Sequence, residues 1–537
     1  MTGSALALLL ALAPGTPPFK DPPPKPLPTL PEPADEATER DAWLYAEVVL
    51  QLAERIAAEY VSPVKVEDLI VAAAEETWAA AGLELPKHIR TRLANATGPD
   101  QQMKALHLAR TALGKVDALE GTRATVVAVS GFARKTDPYC GLYAARGNSF
   151  ASSDAEFGLG FELEGATGQP WLAYQLELHQ IIGKRALPSF CPVQVPWVVK
   201  RVVPGGPAAR AGLRPGDVVT HLNGDAVTAK SSPAMFRRLV SFVQPDVREP
   251  GTAIDAGKPV ELRANRAGGV KPIEARVVRD AYRPDTIFGV IRRKDGSWDY
   301  LLDPAAKIGY VRVGAVESGT AAAFQDALKE IVKQGGKGLV LDLRWCPGGY
   351  VDPTVRIAGT LLPPDKTVVA MQYRHPERQG QRDYKSEPAE GREDFIALPL
   401  VVLVGPDTTG GGEMIAAALQ DHGRGLIVGQ RTFGKANIMT PITTRFPGLS
   451  YKVSTGYSLR PNGKNRHRFP DSKRTDDWGV RPDPGYEIPV TPDLMARLRE
   501  SAERQAMRPP EDRDAVEYDD PLADPIRLVA VKFLKQK

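Results

Sequence analysis

Residues 401–435 read VVLVGPDTTGGGEMIAAALQDHGRGLIVGQRTFGK, and the order of patterns in this stretch decides the fold. It opens on an unbroken apolar run, VVLV, of the kind that fills a strand buried on both faces. A glycine-rich turn follows, then the helical pattern GEMIAAALQDHG, then a second apolar strand, GLIVGQ. Working outward from there, IGYVRV begins at Ile308 and leads into the amphipathic run GTAAAFQDALKEIVKQ. GLVLDLR begins at Gly338 and PLVVLV at Pro399. Strands and helices alternating in this way predict an α/β layer of buried, largely parallel strands.

The rest of the 537-residue chain is organised differently. Residues 5–13 form a short apolar run, too short to span a bilayer but suited to a secretory signal, which predicts an exported, periplasmic or cell-envelope location. No Lys or Arg precedes the run, and Pro14 follows the small-residue triplet at its end. Residues 1–15 are therefore a possible signal segment, 16–35 a proline-dense extended linker, and 36–140 a helical region. In that region Tyr45, Val49, Leu52, Ile56 and Tyr60 recur at helical spacing and mark one buried stripe. Residues 141–283 change to short β-branched runs, 284–495 hold the α/β layer, and 496–537 return to a helical tail.

Composition excludes several classes. Sixty-nine basic residues against 65 acidic ones leave a net charge of +4, too balanced to argue for nucleic acid as the partner. Three separated cysteines and seven scattered histidines give no disulfide framework and no metal-ligand spacing, so neither a metal nor another cofactor is expected. No later stretch has the length and apolarity of a membrane span.

Two stretches inside 141–283 belong together. Gly158, Leu159, Gly160 and Phe161 supply a glycine pair where backbone N–H groups can turn inward to cradle a carboxylate. Farther on, VVKRVVPGGPAARAGLRPGDVVTHLNGDAV predicts a short helix opening at Pro207 and closing at Gly212. A tight turn follows at Pro215, Gly216 and Asp217, and a hairpin turn at Asn223 and Gly224. This order of turns resembles a PDZ domain, with an insertion near 164–196. The resemblance implies docking of peptide C-termini or extended segments by strand addition, or a fold used only as a spacer.

Beyond that module the motif order is similar to the C-terminal processing peptidases, or tail-specific proteases. The matching segments are GSWDYLLDPAAKIGYVRV, GLVLDLRWCPGG, the stretch quoted above, and DWGVRPDPG. The resemblance implies a crotonase-like α/β peptidase core with a PDZ domain, and a serine deprotonated by a lysine of depressed pKa. It places the lysine at Lys435 and a supporting acid at Asp421. The oxyanion donors fall on Gly411 and on Gly348 or Gly349. Aligned without gaps through Glu413, Gln420, Asp421 and the FGK motif, the reactive serine falls on Gly410. Trp345 and Cys346 stand where the family has two asparagines.

Glycine has no side chain to attack a carbonyl, and losing the nucleophile of a serine protease costs about a million-fold in turnover. Thr409 is a possible substitute, since three consecutive glycines leave the turn free to take another path. Cys346, next to the expected oxyanion turn, has no assignable histidine partner. Asp421 is either a site residue or a helix-end partner of Arg424. Three functions follow: a serine-type endopeptidase with a displaced nucleophile, a peptide-binding pseudopeptidase or scaffold, and a carrier of small apolar ligands.

Overall fold

A computed structural model describes residues 36–144, 156–164, 195–231, 235, 259–269, 271–293, 296–380, 382–388, 391–445, 449–469, 471–507 and 523–537. The expected signal segment, the proline-dense linker and most of the 164–196 insertion lie outside these residues.

Five helices open the described chain: α1 (Glu36–Glu59), α2 (Val66–Ala80), α3 (Lys87–Ala94), α4 (Pro99–Thr111) and α5 (Thr122–Ser130). The stripe Tyr45, Val49, Leu52, Ile56 and Tyr60 is buried, packed with Leu69, Ile70, Leu93, Leu106 and Val129. This core does not stop at the helices. It runs on through Cys140, Leu142, Ile442, Tyr451 and Val453, so the helical bundle shares its interior with a sheet. In that sheet β1 (Gly141–Ala144) pairs antiparallel with residues 449–452 of the later strand Leu449–Leu459. Arg374 fastens the bundle further by donating to the carbonyls of Ala57 and Tyr60 at the end of α1.

The next module is built on antiparallel strands: β2 (Glu156–Gly158), β3 (Phe161–Leu163), β4 (Trp197–Val202), β5 (Val218–Leu222), β6 (Val260–Asn265), β7 (Ile273–Val277) and β8 (Asp280–Tyr282). Strands β3, β4, β5, β6 and β7 form one sheet in that order, while β2 pairs with β8. Trp197, Val199, Val219, Leu262 and Val277 fill its core. The short helix α6 (Pro207–Arg210) closes at Gly212, where φ is +85°. Asn223 and Gly224 both have positive φ, the requirement of a two-residue hairpin turn. Asp217 is fully buried because Arg266 grips both of its oxygens at 2.8 and 2.9 Å.

The centre of the molecule is a parallel sheet of β9 (Ile308–Val313), β11 (Gly338–Asp342), β15 (Leu400–Val404) and β16 (Leu426–Gly429). Two short antiparallel strands, Ile287–Phe288 and Leu301–Asp303, flank β9. Between these parallel strands the chain forms β10 (Ala315–Val316), β12 (Gly348–Gly349), β13 (Thr367–Tyr373) and β14 (Arg382–Lys385), and after them β17 (Asn437–Thr443) and β18 (Leu449–Leu459). Alternate residues face opposite sides, as a pleat demands. Leu339, Leu341, Val402 and Val404 pack toward α7 (Thr320–Lys333), α8 (Val351–Thr360) and α9 (Gly411–Asp421). Val340, Val401 and Leu403 face the other way, toward Ile526, Ala530 and Val531 of the last helix. The amphipathic α10 (Pro492–Met507) and this last helix, α11 (Pro525–Leu534), end the chain. The segment that reads as a helical tail thus helps to cover one face of the sheet. The fold is an α/β core joined to a mostly antiparallel β module and a helical N-terminal region. Among the described residues no helix is long and apolar enough to cross a membrane.

Candidate active site

The parallel strands present their C-terminal ends to one edge, where ligands bind in open α/β sheets. Strand β11 runs there into Leu343, Arg344, Trp345, Cys346, Pro347 and Gly348, and β15 runs into residues 405–410. These two turns lie against each other and are tied by a series of bonds. Thr408 Oγ1 donates to the Leu343 carbonyl at 2.7 Å, and the Thr409 N–H donates to the Cys346 carbonyl at 2.9 Å. Thr409 Oγ1 donates to the Pro347 carbonyl at 3.1 Å. Both threonine hydroxyls are therefore engaged as fasteners between the turns, Thr408 in full burial.

Each glycine of the triplet has its own reason. Gly410 sits at φ +51°, ψ −112° just before α9, a backbone conformation that side chains other than glycine rarely take. A β-carbon there would meet only the Pro347 carbonyl, at 3.3 Å. At Gly411 a β-carbon would lie 2.6 Å from Thr354 Oγ1, and at Gly412 it would lie 2.8 Å from the Cys346 carbonyl and 3.2 Å from its sulfur. Positions 411 and 412 are thus glycine because neighbours fill the space. Gly348, at φ +81°, packs its Cα against the Gly411 backbone. Gly349 pairs with Val316 in the parallel β10–β12 contact. Burial pushes the Cys346 thiol up to about 12, so it stays protonated and unreactive at neutral pH.

Glu413 organises the other side. It is fully buried and accepts from the N–H groups of Gly434 (2.7 Å), Lys435 (2.8 Å) and Gly410 (3.2 Å) and from Thr432 Oγ1 (2.5 Å). Thr432 in turn accepts from the Val480 N–H at 2.7 Å, so one carboxylate joins the α9 turn, the FGK loop and the DWGV segment. Burial raises the Glu413 pKa, and the buried Arg466 guanidinium opposes that rise. Arg466 reaches the Gly410 carbonyl at 3.4 Å and Ser458 at 2.9 Å.

Lys435 leaves this loop with its ammonium 4.9 Å from the Tyr139 ring centre. Partial burial lowers its pKa below the ordinary lysine value, while Asp137 and Glu413 pull it back up. Tyr139 and Asp137 come from the connection between the N-terminal helices and β1, almost 300 residues earlier, and nothing in the sequence pairs them with Lys435. His467 is buried beside them and accepts from the Ala436 N–H at 3.3 Å. Desolvation brings His467 down to about 4. Asp421 is at the far end of α9, where Arg460 holds it at 2.5 and 3.2 Å and Asn462 donates at 3.1 Å. Arg424, the other candidate for that carboxylate, instead donates to the carbonyls of Leu361, Phe395 and Leu398. The structure therefore gathers Gly410, Gly411, Gly348, Thr409 and Lys435 at one edge, and gives Asp421 a partner of its own.

A family model described as peptidase family S41 matches residues 307–483, and a PDZ-domain model matches 198–245. Over 299 residues the chain is 33% identical to the chloroplastic C-terminal processing peptidase of Tetradesmus obliquus, covering 55% of this chain and 58% of that one. Residues 307–483 thus match peptidase family S41, and the chain is similar to the C-terminal processing peptidases. It is also 25% identical to the carboxy-terminal processing protease CtpA of Bacillus subtilis over 287 residues, 53% of this chain and 52% of that protein. Among solved structures it is similar to a photosystem II D1 C-terminal processing protease, at 23% identity and a TM-score of 0.37, covering 87% of this chain and 98% of that one. The chain spans about half the length of the curated relatives it matches.

In the PDZ module, Leu159 is buried and its carbonyl accepts from the Ala208 N–H at 2.9 Å. Gly160, at φ +72°, accepts from the Val203 N–H at 2.8 Å. This loop therefore lies on the start of α6, flanked by Gly158 in β2 and Phe161 in β3. Residues 236–258 lie outside the described part of the module.

Proposed function

We propose that this protein captures peptide C-termini or extended unfolded segments without Ser–Lys hydrolysis. The observation that carries the reading is at the turn before α9. Position 410 is glycine, and the two neighbouring hydroxyls are bonded to the carbonyls of Leu343 and Pro347. A displaced threonine nucleophile would have to break one of these fasteners, and catalytic groups tolerate only about 0.5 Å of misplacement. Residues 158–161 are the proposed docking loop of the PDZ module. The apolar start of the chain and the chloroplastic relative support an exported or cell-envelope location.

The test is an unfolded protein substrate and a peptide with an apolar C-terminus, each assayed for binding, cleavage and labelling by a fluorophosphonate. Wild type should bind and neither cleave nor label. Gly410→Ser, strained at this φ but meeting only the Pro347 carbonyl, should gain fluorophosphonate labelling that disappears in Gly410→Ser/Lys435→Ala. Wild-type turnover lost in both Lys435→Ala and Thr409→Ala would replace this reading with a threonine peptidase.

A further inference from the structure

Lys435 is the one member of the expected catalytic pair that the chain retains, and its surroundings differ from those of a lysine kept only for packing. Its ammonium is half-buried above Tyr139, yet among the described residues no carboxylate lies within ion-pairing distance of it. The two nearest acids are already engaged. Glu413 accepts from four donors, and Asp137 accepts from the N–H groups of Tyr139 (2.9 Å) and Cys140 (3.1 Å) and interacts with the Tyr60 hydroxyl. A cation withdrawn from water without a bonded anion is unfavourable, and an incoming carboxylate would relieve that cost.

Beside this ammonium lies a set of aromatic rings that remains partly open to solvent. Tyr139 and Phe433 meet edge-on with centroids 6.4 Å apart, and Tyr139 and His467 do so at 6.1 Å. His467 continues the wall to Phe469 at 4.9 Å. Phe433 and Phe469 are 42% and 41% exposed, unusual for phenylalanines that have a buried aromatic cluster beside them. His467, neutral at physiological pH, adds no charge to the wall.

An unpaired cation flanked by an open aromatic surface complements one kind of ligand. We propose that Lys435 binds the α-carboxylate of a peptide whose C-terminal aromatic or large apolar side chain lies on Phe433, His467 and Phe469. The inference rests on the peptide-capture reading and names the end of the peptide that enters the core cleft. Here the family's base serves as an anchor. Gly410 leaves the neighbouring turn without a side chain that would crowd the terminal residue, since a β-carbon there meets only the Pro347 carbonyl.

The experiment uses the full chain and two labelled decapeptides of one sequence ending in Phe, one with a free carboxylate and one with a C-terminal amide. Fluorescence polarisation gives the affinity of each for wild type, Lys435→Met, Lys435→Arg and Phe433→Ala. Wild type should prefer the acid by roughly ten- to a hundred-fold, the range of one charge-assisted hydrogen bond. Lys435→Met should lose most of that preference, the acid weakening far more than the amide, and Lys435→Arg should keep part of it. Phe433→Ala should weaken acid and amide alike, as removal of a wall does. The PDZ module is intact in all four proteins, so any acid preference it contributes survives in Lys435→Met and is subtracted. An acid-to-amide ratio equal in wild type and Lys435→Met, with both peptides still bound, overturns the carboxylate assignment and leaves peptide capture standing. Binding of neither peptide to wild type overturns both.

Discussion

The turn at 407–413 and the loop at 431–436 face each other through one carboxylate, Glu413, and they differ in what they leave unsatisfied. In the turn, the polar side chains of Thr408 and Thr409 are bonded to backbone, and the glycines fit around Thr354 and Cys346. In the loop, the backbone is equally well tied, but the Lys435 side chain ends in an ammonium with no ion-paired anion among the described residues. The contrast shows two segments whose backbones one carboxylate ties equally well and whose side chains differ in what they bond. Glu413 holds the two halves in register whether or not position 410 carries a hydroxyl, because it bonds main-chain N–H groups.

The largest effect should come from cutting that tie. Glu413→Ala would leave Thr432 and three backbone N–H groups without their acceptor and the buried Arg466 without its nearby countercharge, at a cost of about 3–5 kcal/mol in urea-induced unfolding. A loss under about 1 kcal/mol would mean that the two halves stand independently.

On the lysine side alone, His467 should make stability fall in acid. Its pKa is near 6.5 when unfolded and about 4 when folded, so the unfolded chain binds the proton first as pH drops. The contribution is fully present above 6.5 and is lost as pH falls toward 4, up to about 3 kcal/mol. His467→Gln should flatten the unfolding free energy over that window, measured by denaturant titration at several pH values.

The turn can be probed without touching the lysine. Gly412→Ala sets a methyl 2.8 Å from the Cys346 carbonyl and should cost about 1–3 kcal/mol by overpacking. Thermal unfolding unchanged from wild type would refute the packing reason for that glycine.

The smallest effect is expected at the outer edge of the turn. Asp407 pairs with Arg499 of α10 at 3.3 Å, and Arg499 also meets Glu503, which faces Lys200 of β4 at 4.0 Å. All four side chains are well exposed, so Arg499→Ala should change stability by less than about 1 kcal/mol, with the remainder screened by salt. A larger loss would show that the PDZ module and the turn are coupled through α10.

Much of this was legible without coordinates. Apolar runs such as GLVLDLR and VVLV can only be strands covered on both faces, and the helical stripe of α1 needs only its spacing. The turn chemistry of residues 207–224 is equally local, since Pro, Gly and Asn act through their own φ values. The absence of a side chain at position 410 is a fact of the sequence alone.

Other features depend on groups far apart in the chain. Tyr139 reaches Lys435 because β1 pairs with residues 449–452, a register no local pattern announces. The last helix reads only as part of a helical tail, yet its Asp524 caps it and grips Arg344 at 2.7 Å. Thr409 Oγ1 donates to the Pro347 carbonyl, 62 residues away in the chain, a bond that no local spacing announces. Residue types and their spacing thus determined the strands, the turns and the missing hydroxyl, because these are properties of short segments. Only the tertiary structure decided which polar groups remained unpaired, because a hydrogen-bond partner is set by proximity in space and not by distance along the chain.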